Sequence, residues 1–567
     1  MTATSTGQSS ALRPIVSPRY KWLALSNTTI AMLLATIDSS ITLIAMPDIF
    51  RGIGLNPLEP GNSFFLLWML LGFLVVSSVL VVSLGRLGDI FGRVKMYNLG
   101  FVIFTIAAIG LSVTPLTGQA GAWWLIIGRI VQGVGAAFLV ANSSAILTDA
   151  FPSNQRGLAL GINNIAGISG SFIGLVLGGI LGAIDWRLVF LVAVPFGIFG
   201  TIWSFLKLKE IGERHAAKID WWGNITFAVG LILIMIGITY GIEPANGNPM
   251  GWSSAPVLSV LGIGAAFLVA FGIIETKVAD PMFRLPLFTI RAYTFGTLST
   301  FLSAIARGGL MFMLIIWLQG IWLPLHGYSF EETPLWAGIL MLPLTIGFLI
   351  AGPISGILSD RLGARYFATG GMVGTTLCFI LLIFLPIDFD YWGFAAILLG
   401  LGLSMGAFAS PNRAAIMNSL PARDRGAGGG MTSTLQNSAQ VLSIGIFFTL
   451  MIVGLSGALS STLTQGLVAH GVASNVAQQI GNLPPVSILF AAFLGYNPIQ
   501  SLLPPDVLSG LSQANQDALT GHSFFPNLIS APFEAGLTEA FIFAAIACSI
   551  AAIASWSRGG RYIHDEH

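Results

Sequence analysis

Charge is what this chain of 567 residues has least of: 9% are Asp, Glu, Lys or Arg, whereas 54% are hydrophobic and the mean hydropathy is +0.83. A soluble domain carries roughly a quarter charged residues, so the composition is that of a polytopic membrane protein, with the lipid bilayer as its partner and no nucleic acid expected. Cysteine is scarce as well. The two present, Cys378 and Cys548, both lie in apolar runs and are expected as small core residues rather than a disulfide or metal ligands. The six histidines show no HExxH or comparable spacing, so no metal and no cofactor are expected. Short alternating strands are lacking too, which leaves helices rather than a barrel as the spanning elements.

What is present is a succession of long apolar runs. A hydrocarbon core of about 30 Å takes about 20 helical residues, and fourteen runs of that order fall at about 22–47, 62–84, 96–115, 122–148, 158–182, 187–206, 222–242, 254–275, 292–323, 335–357, 367–386, 391–412, 427–456 and 537–556. Of the 25 Lys and Arg, 21 fall in the two tails and in alternate loops, among them those containing GRLGDIFGRVK, KLKEIGERHAAK and SDRLGAR. By the positive-inside rule both termini are expected in the cytoplasm, as an even number of spans requires. The first run is too long for a cleaved signal peptide. Between about 457 and 536 there is neither Lys nor Arg. VSILFAAFLG in that stretch is too short to span and is expected at the interface or folded over the outer exit.

Two of the basic loops share a pattern. GRLGDIFGR places Gly85, Asp89 and Gly92 at intervals that GILSDRLGA repeats with Gly356, Asp360 and Gly363, 271 residues later (360 minus 89). Each loop follows an apolar run, so a duplicated bundle is expected, with two extra spans, at about 222–242 and 254–275, inserted between the halves. Parallel repeats with a site at their interface describe the major facilitator architecture. The expected organisation is a tail 1–21, a six-helix bundle 22–206, a two-helix linker with flanking loops 207–290, a second six-helix bundle 291–556 that includes an outer loop 457–536, and a tail 557–567.

Ionisable residues inside such runs are costly, roughly 2.5–3.5 kcal/mol each on insertion scales, and mark functional interiors. Asp38 in AMLLATIDSSITLIAMP and Arg129 in LIIGRIVQGVGAA lie at matching depths in spans of opposite direction. An acid held between desolvation and a cation can take up and release a proton; a static ion pair is the alternative. Arg307, about halfway along the ninth run, is expected either to bind an anionic group of a substrate or to neutralise an acid. Asp89, at a helix–loop junction, is expected to accept from backbone donors at a helix start and to pair with Arg93 as a conformational latch, with Asp360 and Arg365 as its second copy. Gly170, Gly174, Gly178 and Gly182 recur every four residues and permit close helix approach, at an interface between the halves or a pivot. Gln132, Asn142, Met313, Trp317, Gln319, Asn437 and Gln440 are candidates, with Arg307, for a mostly apolar substrate cavity.

Several of these stretches resemble the fourteen-span drug:proton antiporter family of the major facilitator superfamily. IDSSITLIAMP resembles its first-helix motif, with Asp38 in the acidic position. GRLGDIFGRVK resembles motif A at Gly85, Gly88, Asp89, Gly92, Arg93 and Lys95, and LIIGRIVQGVGAA resembles motif B at Arg129, Gln132, Gly133, Gly135 and Ala136. GSFIGLVLGG resembles motif C, the antiporter signature, at Gly170, Gly174, Gly178 and Gly179, although the family usually has Pro where this chain has Leu175. The resemblance implies an all-α transporter of two six-helix bundles plus two inserted helices, a monomer exchanging protons for small amphipathic drugs by alternating access across a cell membrane. It also implies that Arg129 tunes or relays the proton. Export of a dedicated lipid, siderophore or metabolite, and a non-transporting sensor or scaffold, are the alternatives. No enzyme is expected: GLSMG at Gly402 to Gly406 and GISG at Gly167 to Gly170 match serine-hydrolase patterns, but in Gly-rich apolar helices without His at matching depth.

Overall fold

A computed structural model describes residues 19–559 apart from 57, 60, 153–154, 212–219, 246, 249, 422–423, 495–496, 498 and 500–501, and apart from the side chains of 156–158, 164, 360, 425 and 426. Fourteen helices among the described residues are long and apolar enough to cross a membrane. They are α1 (Tyr20–Ile44), α2 (Asn62–Phe91), α3 (Arg93–Ser112), α4 (Gly118–Ala150), α5 (Ala159–Ile184), α6 (Leu188–Lys207), α7 (Trp221–Gly241), α8 (Ala255–Glu275), α9 (Arg291–Leu325), α10 (Thr333–Ser359), α11 (Ala364–Ile383), α12 (Tyr391–Asn418), α13 (Ala427–Ser456) and α14 (Phe524–Ser557). Each overlaps a run expected from the sequence. The start of α1 and the end of α14 lie on one side, here the tail face; the other is the far face.

Local chemistry sets several of the boundaries. The carboxylates of Asp220 and Asp390 cap α7 and α12, accepting from Gly223 N at 2.8 Å and from Trp392 N at 3.1 Å. Between α2 and α3 the chain turns at Gly92 with φ 111°, and after α10 at Gly363 with φ 93°. Both values lie where a Cβ is strained, so the last glycine of each repeated loop has the same backbone reason.

Packing repeats as well. In the first half α1 packs on α5, and α2 and α3 on α4; in the second α9 packs on α13, and α10 and α11 on α12. The inserted helices α7 and α8 pack on each other, and α7 reaches both α2 and α13 beside the seam between the halves.

The stretch after α13 is folded into short helices, Leu459–Ala469, Ser474–Gly481, Pro485–Phe493, Pro505–Ser509 and Gln513–Thr520. Pro485–Phe493, expected at the interface or over the exit, is instead buried along its whole length. Phe490 lies 5.3 Å from Phe448 and Phe493 lies 5.0 Å from Phe312, ring centre to ring centre. The segment touches α2, α9 and α13, so it enters the bundle where both halves meet. Nine residues cannot span a bilayer, but a nearly all-apolar helix can dock in an apolar bed.

Candidate transport site

Three polar side chains close on one another inside the first half. Arg129 Nη1 donates to Asp38 Oδ2 and, at 2.8 Å, to Gln132 Oε1, while Gln132 Nε2 donates to Asp38 Oδ1 at 2.7 Å. Asp38 and Gln132 are fully buried, and Arg129 is 1% exposed with its guanidinium 4.3 Å from the Phe73 ring centre. Both carboxylate oxygens therefore have a donor, and the cluster joins α1 to α4. Gln132, expected in the cavity, is placed here because it sits one turn from Arg129 on the same helix face. A proton on Asp38 would cancel the charge that holds Arg129, so occupancy by a proton and the α1–α4 contact are linked.

The four-residue glycine row lies against α1, within the same half. A Cβ added at Gly170, Gly174 or Gly178 would meet the carbonyl oxygens of Leu33, Ile37 and Ile41 at 3.0, 2.5 and 2.7 Å, and one at Gly182 would meet Ala45 Cβ at 3.1 Å. The two rows share a period, so α1 and α5 interlock. Gly179, 100° further round α5, faces the other half instead, its added Cβ 2.6 Å from Leu335 N and 2.8 Å from the Pro334 carbonyl carbon. Gly338 returns the contact against Leu175 O at 3.1 Å. Leu175, where the resembling family carries Pro, is buried, and α5 runs unbroken through it. Nearby, Gln319 Nε2 donates to Ile44 O at 3.3 Å across the seam.

Other far-face contacts carry charge. Asp48 pairs with Arg51 at 2.7 Å; burial pushes its carboxyl up and the Arg51 charge opposes that. Ser63 donates to Glu243, whose carboxyl burial also pushes up, with the Ser63 bond opposing.

On the tail face Arg93 is held twice, by Asp89 (Nη2 to Oδ1, 2.8 Å) and by Asp149 at the end of α4 (2.5 Å). The backbone donors that start α3, Arg93 N and Val94 N, go to Glu210 at 2.9 and 3.1 Å, not to Asp89. Arg93, Asp89 and Asp149 belong to the first bundle, and Glu210 to the linker that follows α6. Asp149 and Glu210 were not singled out in the sequence; the signal was an acid at a span end and one inside a basic loop. In the second copy the Asp360 side chain lies outside the described residues. Arg365 stacks on Trp556, 3.7 Å from its ring centre. Beside it Arg558 donates to Asn412 Oδ1 at 2.7 Å, and burial first, then the charge of Arg365, brings its guanidinium down to about 10.

The remaining cavity candidates separate into two groups. Met313, Trp317, Gln319 and Asn142 are sealed: Trp317 Nε1 donates to Ile387 O at 3.1 Å, and Asn142 packs under Gly88 and donates to Phe138 O at 2.9 Å. Arg307, Asn437 and Gln440 are half-buried, and their side chains make no hydrogen bond to a described residue.

The family model described as Major Facilitator Superfamily matches residues 28–320 and 294–444. The chain belongs to that superfamily. The curated relatives of this facilitator include the riboflavin transporter RibZ of Clostridioides difficile (strain 630), 27% identical over 84% of this chain and 97% of that protein. Multidrug resistance protein 3 of Bacillus subtilis (strain 168) is 26% identical over 87% of this chain and 89% of that one, and its multidrug transporter protein MdtP 27% over 87% and 85%. Among solved structures, a bacterial homologue of the human lysosomal transporter Spinster, inward-facing and unoccupied, aligns with a TM-score of 0.54 at 15% identity, covering 96% of this chain and 98% of that one. At that identity the likeness concerns the fold. The facilitator is thus a multi-pass membrane transporter whose relatives include multidrug resistance and multidrug transporter proteins.

Proposed function

We propose that this facilitator is a proton-coupled antiporter that exports amphipathic small molecules across a cell membrane, with both tails on the cytoplasmic side. The observation that carries the reading is Asp38, a fully buried acid whose two oxygens are both held by α4 and whose helix is interlocked with α5. Protonation of Asp38 removes the charge that binds Arg129 and leaves the guanidinium to Gln132 and the Phe73 face. A shift of α1 released in this way carries α5 with it, because the glycine row admits no slack. On α5, Gly179 meets Leu335, so the shift reaches the far-face seal. Binding of a proton and opening towards the far side become one event, which is what exchange requires.

The similarity to multidrug resistance proteins supports amphipathic drugs as cargo. The similarity to a riboflavin transporter supports a second reading, in which the cargo is one dedicated metabolite. The test uses inverted membrane vesicles with an imposed pH gradient and a panel of cationic, neutral and anionic fluorescent amphiphiles. Uptake of at least one class by the wild type and none by Asp38→Asn is expected; undiminished uptake by a folded Asp38→Asn protein contradicts proton coupling through this residue.

A further inference from the structure

The second half holds a guanidinium without a partner among the described residues. Arg307 stands about 24 Å along α9 from Arg291, counting roughly 1.5 Å per residue, and Asp38 about 27 Å along α1 from Tyr20 by the same count. Both helices start on the tail face, so the two residues are level to within about one turn, on opposite halves. No hydrogen bond or ion pair joins Arg307 to any described residue. Glu534 and Glu539 of α14 are the acids within the described spans of this half, and neither pairs with it.

Its neighbours fix where Arg307 points. Gly308 and Gly309 press on α13, where added Cβ atoms would meet Gln440 O at 2.7 Å and Phe447 Cβ at 2.5 Å. Ser299 donates to Ala551 O of α14 at 3.0 Å, and Thr300 accepts from Asn412 of α12 at 2.8 Å. At 100° per residue Arg307 falls within about 20° of Gly296 and Thr300, away from the sides that meet α13 and α14. The side chain is half-buried rather than sealed, on the face of α9 that carries Gly296 and Thr300.

A lone cation at this depth is costly and persists where a function uses it. We propose that Arg307 binds an anionic headgroup, a carboxylate or phosphate, on the transported amphiphile. This deepens the reading of the chain as a transporter and does not depend on proton coupling. The guanidinium fork matches both oxyanions bidentately. Half-buried Met311, one turn further along α9, offers an adaptable apolar neighbour for the rest of the molecule.

The test is equilibrium titration of the purified full chain in neutral detergent with dansyl-labelled undecanoic acid, its primary amide and a trimethylammonium analogue. The wild type should bind the acid at least about tenfold more tightly than the amide, as expected for a charge-assisted bond. Arg307→Gln should remove that preference and Arg307→Lys retain part of it. Competition by lysophosphatidate assigns a lipid-like phosphate, and competition by hexanoate a small carboxylate. Equal binding of acid and amide by the wild type, displacement by neither competitor, or a preference that survives Arg307→Gln overturns the proposal. Should Arg307→Gln not fold, the wild-type comparison and Arg307→Lys decide it. Asp38→Asn should keep the preference, so loss of proton coupling and loss of anion binding are read separately.

Discussion

The two halves share a fold but not an electrostatic state. In the first, the charges of the buried cluster and of the tail-face latch are paired: Asp38 with Arg129, and Arg93 with Asp89 and Asp149. In the second, Arg307 has none among the described residues, and Arg365 rests on an aromatic ring. A duplicated scaffold thus carries a closed polar cluster on one side and an open cation at the same depth on the other. The difference points to a division of labour, with the proton handled by the first half and cargo by the second.

The comparison breaks most visibly through stability. Arg129→Gln leaves Asp38 buried without its cation, a loss of about 3–5 kcal/mol for such pairs. Arg307→Gln removes a charge with no partner among the described residues and should leave thermal stability in detergent unchanged or raised. Equal losses in the two variants would mean that Arg307 is structurally paired after all. Next in size are the glycines. Gly174→Leu should destabilise the protein by forcing α1 from α5 inside one half. Gly179→Leu should instead part the halves at Leu335 and appear as proton leak in vesicles, with the fold kept. A leak from both, or from neither, would remove the distinction between the α1 row and the seam.

Smaller effects are expected on the tail face. Asp89→Asn and Asp149→Asn each loosen Arg93 and should slow turnover several-fold while leaving cargo affinity in place, whereas Arg365→Gln should do less. Stopped-flow transport and equilibrium binding on the same preparations separate these. Smallest is Glu243. Burial raises its carboxyl above the ordinary value, so the folded state holds that proton more tightly than the unfolded chain does. Its contribution is then most favourable below the ordinary value and falls as pH rises through the raised one. Glu243→Gln should accordingly stabilise more at pH 8 than at pH 5, by roughly 1 kcal/mol or less; a melting shift independent of pH would remove Glu243 as the cause.

Most of the fold was legible because a hydrocarbon core demands long apolar helices, and the repeat was legible because Gly92 and Gly363 serve the same strained turn. Asp38 and Arg129 stood out for the same reason, being charges where apolar residues were required. What spacing alone did not carry was the partner. The glycine row announced a close approach without saying that it was α1 rather than the other half. Gln132, Met313 and Trp317 had cavity chemistry but sealed faces, and a helix face is chosen by packing that the sequence does not display. Asp149 and Glu210 reach Arg93 from 56 and 117 residues away. The helix Pro485–Phe493 could not be placed more closely than at the interface or over the exit, because its length excludes a span but does not say how deeply it docks.

The central claim is that cargo and proton exchange through Asp38. The most direct measurement adds a compound that moves in the vesicle assay to purified protein in weakly buffered detergent and follows a pH indicator. The wild type should release a proton on binding and Asp38→Asn should release none. Equal release from both proteins would place the proton elsewhere and contradict the account.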